Sequence, residues 1–199
     1  MMGTQVNRDA RNIMGLIKKD SVGAEIGVWY GNSSKEFLKR GVKELHLIDA
    51  WSIEPYKESD EHGTYENYLE RYSKMCGGGT EKDFQQYYDR VYEEVNTGLG
   101  SDKRVTIYRM SSDEWFETFT ERKLDWIYVD GDHSYDGCLR DLRNALKVVK
   151  WGGLILGDDY KWGDTRWGKD GVTRAVDEFC RTEGLFKKRH GDIQFSIGV

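Results

Sequence analysis

Apolar runs with strand character alternate with amphipathic helical segments along almost the whole chain. No other feature constrains the fold as strongly. Strands separated by helices do not pair as hairpins, so they form a largely parallel sheet with helices on both faces. Residues 12–19 read as a short helix. GAEIGV, from Gly23, is the first strand, and NSSKEFLKRG is the helix after it, with Ser33 and Glu36 at capping-box spacing and Gly41 as its stop. ELHLIDAW, RVTIYRM, LDWIYVD and LILGDD supply four further strands. Ser111 and Glu114 repeat the capping-box spacing after RVTIYRM. The helix after LDWIYVD carries Leu139, Leu142, Leu146 and Val149 on one face, and Gly152-Gly153 turns the chain into LILGDD. Val172, Ala175, Val176 and Phe179 mark a last helix, and LFKKRH pairs with DIQFSIGV as a closing hairpin.

One interval breaks the rhythm. Between Trp51 and Lys103 the chain is polar and tyrosine-rich for about fifty residues, long for one crossover. Phe84, Tyr87, Tyr88, Val91, Tyr92 and Val95 keep helical spacing, and Gly77, Gly78 and Gly79 form a joint before them. This interval reads either as a helical hairpin that stabilises the sheet edge or as a lid over a substrate. Its aromatic stripe is also a candidate surface for a homo-oligomer. With 199 residues, no repeat and Pro55 as the only proline, the chain 1–199 reads as a single domain with a helical insert at about 52–103.

Composition removes several function classes. Hydrophobic residues at 38% and aromatics at 13% supply a core, while 33% charged residues give a very polar surface. No apolar run approaches the roughly 20 residues of a membrane span. The first residues show no signal-peptide stretch, so the expected location is cytoplasmic, away from membranes. A net charge of -5, with Lys and Arg dispersed among acids, predicts no nucleic-acid partner. Cys76, Cys138 and Cys180 lie far apart and read as reduced, packed thiols.

Parallel sheets of this kind bind ligands at the carboxyl ends of their strands. The first strand ends in Glu25-Ile26-Gly27-Val28-Trp29-Tyr30-Gly31, where glycine permits close backbone approach to a cofactor's polar tail. Ser33, just beyond, joins the candidate contacts. The spacing is Gly-x-x-x-Gly, and Trp29 stands where a dinucleotide would bring its pyrophosphate, which argues against NAD. Asp49 ends the second strand about 20 residues on, placed to accept both hydroxyls of a ribose. Trp51 reads as adenine packing or as core. Met110, Ser111 and Ser112 stand where adenine-edge contacts would come, although capping also explains the serines.

The fourth strand ends in Asp130-Gly131-Asp132-His133 and the fifth in Asp158-Asp159. As neighbours, these strands bring up to four carboxylates and an imidazole to one patch. Anions so close raise each other's pKa unless neutralised, and oxygen ligands favour Mg²⁺, Ca²⁺ or Mn²⁺. Capping accounts for one or two of the acids. His46 reads as structural, and His62 and His190 have no partner visible in the sequence. The loop from Tyr160 to Asp170, with Trp162 and Trp167, reads as a wall for a second substrate or as cover for the following helix.

EIGVWYGNSS, LIDAW, YVDGDHSYDGCLRDL, GGLILGDDY and GVTRAVDEF together resemble the class I S-adenosylmethionine (SAM)-dependent methyltransferases. Within them the chain is similar to the small branch related to macrocin-type sugar O-methyltransferases and cephalosporin-hydroxylase-like proteins. The resemblance runs from about Gly23 to Phe179, and DGDHSY followed by GGxxxGDDY is its most specific part. It implies a Rossmann-like fold with a mostly parallel seven-stranded sheet and an antiparallel C-terminal strand. It implies that Glu25, Gly27 and Gly31 surround the methionine portion of SAM and that Asp49 holds the ribose. Asp130, Asp158 and Asp159 match the family's ligands for a divalent metal such as Mg²⁺, and Asp130 is also a candidate SAM contact. Asp132 matches a general base of the macrocin-type group, and His133 matches the place of a lysine base in catechol-type enzymes.

The implied reaction is in-line methyl transfer to a hydroxyl of a sugar or other small hydroxylated metabolite. The metal lowers the pKa of that hydroxyl, and Asp132 or His133 takes its proton. Of the two, His133 has the better matched unperturbed pKa, about 6.5. The chain departs from the family in Trp29-Tyr30 within the loop and in His133-Ser134-Tyr135 after Asp-Gly-Asp. An NAD-dependent oxidoreductase, a metal-dependent hydroxylase-like enzyme and a non-catalytic SAM-fold binding protein are the alternative readings.

Overall fold

A computed structural model describes residues 10–59, 61–161 and 170–199; Trp162 and Trp167 lie outside the described residues. The strands are β1 (Val22–Ile26), β2 (Glu44–Asp49), β3 (Val105–Arg109), β4 (Leu124–Val129), β5 (Val149–Gly157), β6 (Lys187–His190) and β7 (Gln194–Gly198). The helices are α1 (Asn32–Lys39), α2 (Pro55–Glu58), α3 (Tyr65–Cys76), α4 (Glu81–Leu99), α5 (Ser112–Thr118), α6 (Tyr135–Val148) and α7 (Gly171–Glu183). The seven strands form one sheet in the order β3-β2-β1-β4-β5-β7-β6. β3, β2, β1, β4 and β5 pair in parallel, and β7 runs antiparallel to both β5 and β6. This is the Rossmann-like sheet the resemblance implies. The chain runs outward from β1 to β3 and then returns to place β4 on the other side of β1, so the switch point lies between β1 and β4.

Alternation along the central strands divides the core between two faces. Ile127 and Val129 of β4 pack with Leu139, Leu142 and Ala145 of α6 and Val176 and Phe179 of α7. Trp126 and Tyr128, pointing the other way, pack with Phe37 of α1 and the buried stripe of α4. The three cysteines are free and buried. Among the described residues, no helix is long and apolar enough to cross a membrane.

Four local expectations are corrected. Residues 12–19 hold only a 3-10 turn, Met14–Leu16. Gly31, left-handed at φ 66°, is the N-cap of α1, so Ser33 falls inside the first turn and makes no capping box with Glu36. Val149 does not extend the apolar face of α6; it opens β5. β5 begins before the glycine pair: Leu124 pairs with Val149 but Trp126 with Leu154, and Gly152 (φ 82°) and Gly153 lie in the intervening bulge. A Cβ on Gly153 would stand 2.8 Å from the Asp125 carbonyl, so the bulge needs glycine there. The capping box of Ser111 and Glu114 forms as its spacing predicts.

Between β2 and β3 lie α2, α3 and α4. Thr80 and Asp83 build a capping box that starts α4, and Gly77, left-handed at φ 83°, ends α3. Phe84, Tyr87, Tyr88, Val91 and Val95 of α4 are buried in the core, so the aromatic stripe is packing rather than open surface. Tyr68 of α3 donates to or accepts from Tyr88 at 2.5 Å and stacks on Tyr56 at 4.2 Å.

Candidate active site

The donor half of the site stands at the ends of β1 and β2. Gly27 (φ 84°) donates its N–H to the Ile48 carbonyl, and Asp130 donates its N–H to the Ile26 carbonyl, each at 2.9 Å. The loop after β1 is thus bonded to both neighbours. A Cβ on Gly27 would lie 2.0 Å from the Asp130 carbonyl oxygen, which fixes this position as glycine. At Gly31 a Cβ would meet Leu99 of α4 at 2.9 Å. Glu25 is 1% exposed and accepts a hydrogen bond from Ser34. Ser34, not Ser33, therefore faces the loop from α1, and Ser33 is half-buried beside it.

Asp49 accepts N–H bonds from Trp29 at 2.9 Å and from Trp51 at 2.7 Å. Burial raises its pKa, and the backbone donors of Trp29, Trp51 and Val28 oppose that rise. Trp29 (φ 47°) and Trp51 (φ 39°) both hold left-handed backbone, which costs about 1–3 kcal/mol each in a residue other than glycine. The Asp49 carboxylate offsets part of that cost. The Trp51 indole is fully buried, donates to the Trp29 carbonyl at 3.0 Å and packs on Tyr92. Its ring belongs to the core beneath the site. Met110 donates its N–H to the Asp49 carbonyl at 3.0 Å. Ser111 is engaged with Glu114, and Ser112 donates to the buried Asp141 at 2.7 Å. Burial pushes Asp141 up to about 7.

The second half stands at the ends of β4 and β5. His133 Nε2 lies 3.2 Å from Asp130 Oδ1 and 3.4 Å from Asp159 Oδ2. These three side chains offer ligand atoms all within 4.8 Å of one another, a grouping able to hold a metal ion. His133 Nδ1 lies 3.2 Å from Glu61 Oε1, and the same oxygen is 3.4 Å from His62 Nε2. The structure thus gathers Asp130, His133 and Asp159. Asp132 and Asp158 point elsewhere. Asp132 Oδ1 accepts from the Ser134 N–H at 2.8 Å and from Ser59 Oγ at 3.0 Å. Asp158 accepts from Tyr128 at 3.1 Å and from Gln194 at 3.5 Å, and is buried.

Charge in this half is out of balance. Burial alone would hold His133 neutral, but Glu61, Asp130 and Asp159 outweigh it and keep the imidazole pKa well above the usual range. Burial pushes Asp159 up to about 7 against the opposing pull of His133. Asp130 is likewise raised by burial, less what His133 takes back. Glu61 shows the opposite balance: burial acts to raise it, but His133 holds it below the usual carboxylate value. Three carboxylates around one imidazole leave room for more positive charge. Asp159 itself sits in left-handed backbone at φ 59°.

Sequence reasoning did not find Ser34, Ser59, Glu61 or the Glu61 contact of His62. Ser34 was hidden by a two-residue error in where α1 starts. Glu61 is 72 residues from His133, and no local pattern connects them. His190, also without a visible partner in the sequence, lies 2.8 Å from Ser196 Oγ within the terminal hairpin.

A family model described as a methyltransferase domain matches residues 24–160, a span that contains every site residue named above apart from Gln194. The fold is similar to that of a candidate O-methyltransferase from Klebsiella pneumoniae, with 18% identity over 96% of this chain and 77% of the other, and a TM-score of 0.56. It is similar to a SAM-dependent methyltransferase from Aquifex aeolicus, with 16% identity over 95% and 87% and a TM-score of 0.54. It is also similar to fibrillarin from Aeropyrum pernix with natively bound SAM, with 12% identity over 91% and 66% and a TM-score of 0.53. At these identities the likeness is one of fold. No curated protein sequence matches the chain.

Proposed function

This chain belongs to the methyltransferase domain family, and we propose that it moves the methyl group of SAM to a hydroxyl of a sugar or other small hydroxylated metabolite, with a divalent cation at the acceptor side. Support for SAM as donor comes from the family match, the fold shared with SAM-bound relatives, and the place of Asp49 at the end of β2. In this reading Asp49 holds the ribose, Glu25 and the Gly27–Gly31 loop surround the methionine portion, and Met110, Ser111 and Ser112 border the adenine. Ser34 keeps Glu25 in place.

The observation that carries the acceptor half is His133 Nε2 facing both Asp130 and Asp159 within 3.4 Å. The donor set is two carboxylates and a nearby imidazole in a half-buried, negatively unbalanced patch, and it suits Mg²⁺ or Mn²⁺. Asp130 and Asp159 would hold such an ion, which supplies positive charge that favours the alkoxide form of the acceptor. The charge of such an ion beside Asp130 and Asp159 would oppose the protonation of His133, and the neutral imidazole then takes the acceptor's proton at Nε2. The acceptor oxygen then forms its bond to the methyl carbon as the carbon–sulfur bond breaks, and S-adenosylhomocysteine leaves. Asp132, held by the Ser134 N–H and Ser59, orders the loop that carries His133.

Turnover of a panel of sugars and small hydroxylated metabolites with labelled SAM tests this reading. Activity is expected with Mg²⁺, lost with EDTA and restored by Mg²⁺. Full activity in both Asp159→Ala and His133→Ala would overturn the acceptor half.

A further inference from the structure

The segment between α2 and α3 does more than connect helices. His62 lies near-parallel to the stacked pair Tyr56 and Tyr68, with ring centroids 6.2 and 5.4 Å away, and this fixes the chain next to it. From that anchor the insert reaches the loop after β4 at two points. Ser59 Oγ donates to Asp132, and Glu61 Oε1 faces His133 Nδ1 at 3.2 Å. The Glu61 side chain is 18% exposed, and its Oε1 also lies 3.4 Å from His62 Nε2.

An imidazole has two distinct nitrogens, and the partner of one decides what the other presents. An ionised carboxylate only accepts, so Nδ1 beside Glu61 carries hydrogen. Nε2 is then the nitrogen turned toward Asp130 and Asp159. We propose that Glu61 is a positioning residue: by accepting the Nδ1–H of His133 it fixes the orientation of the ring, and through it the β2–β3 insert completes the acceptor half of the site. The proposal rests on His133 being the acceptor-side residue of the methyltransferase reading. It assigns the insert a second role beside the packing of α4, and it accounts for an acid in a segment that otherwise only links two helices.

The test is proton NMR of the full chain, labelled with ¹⁵N-histidine and saturated with S-adenosylhomocysteine. Wild type is expected to show a downfield, slowly exchanging Nδ1–H resonance for His133, assigned by its loss in His133→Gln. Glu61→Ala is expected to lose it. Glu61→Gln, which keeps an accepting oxygen without the charge, is expected to keep it shifted upfield. Glu58→Gln, an exposed acid on α2, is expected to leave it unchanged. No such resonance in wild type, its persistence in Glu61→Ala, or an unmoved resonance in Glu61→Gln would overturn the proposal. Calorimetry with S-adenosylhomocysteine on the same samples separates the two ideas. Wild type that fails to bind it contradicts the methyltransferase reading, while the resonance still decides Glu61.

Discussion

At the ends of β1 and β2 the carboxylates Glu25 and Asp49 meet a hydroxyl and two backbone N–H groups, whereas at the ends of β4 and β5 Asp130 and Asp159, together with Glu61, crowd a single imidazole. The first pair is satisfied by fixed, neutral donors supplied within a few residues of the strands. The second shares one titratable partner, His133, and carries more negative than positive charge. Both sit at the same edge of the same sheet. A donor half built this way is complete before any ligand arrives, while an acceptor half built this way is poised for a cation or a proton.

The largest expected effect abolishes the distinction, because one residue joins the halves. Gly27→Ala would push a methyl into the Asp130 carbonyl in a left-handed backbone, and a loss of about 4 kcal/mol or more is expected in urea unfolding. Next comes a pair of isosteric changes that sets the halves against each other. Asp49→Asn leaves one of two backbone N–H groups facing an amide donor, and should cost about 1–3 kcal/mol. Asp159→Asn should do the reverse without metal. The folded pKa of Asp159, about 7, lies above its ordinary value of 3.8 because burial penalises the charged form. Its contribution is therefore fully present below about pH 4 and is lost as pH rises through 7. The Asn variant escapes that loss, so it should be more stable than wild type at pH 8, and the gap should close by pH 4. Chemical unfolding at the two pH values, with EDTA present, checks both variants. A gap of the same size at both pH values would show that Asp159 carries no such strain. Smallest is Ser111→Ala, which removes the α5 cap and should cost about 1 kcal/mol at any pH.

Much of the fold was legible because its signals are local. The nearly continuous burial of β4, the Ser111–Glu114 box and the apolar stripe of α7 each report on a few neighbouring residues. Errors arose where a long-range contact decided a local boundary. Gly31 is the cap of α1 and lies against Leu99 of α4, so the Ser33–Glu36 spacing two residues later was misleading. The bulge of β5 depends on Asp125 of β4. In the site, Asp130, His133 and Asp159 were each visible as strand-end residues, and parallel topology predicted their meeting. The directions of Asp132 and Asp158 were not visible, since they depend on Ser59, Tyr128 and Gln194. Glu61 was the least visible, because its partner is brought to it only by the folded insert.

The claim that the donor half stands complete without the acceptor half is most directly tested by calorimetric titration of S-adenosylhomocysteine, with EDTA present, into wild type, Asp49→Ala and Asp159→Ala. The account predicts binding to wild type, binding of the same strength to Asp159→Ala, and at least about tenfold weaker binding to Asp49→Ala, a difference of about 1.4 kcal/mol. Equal weakening by both variants, or no binding to wild type, would contradict it.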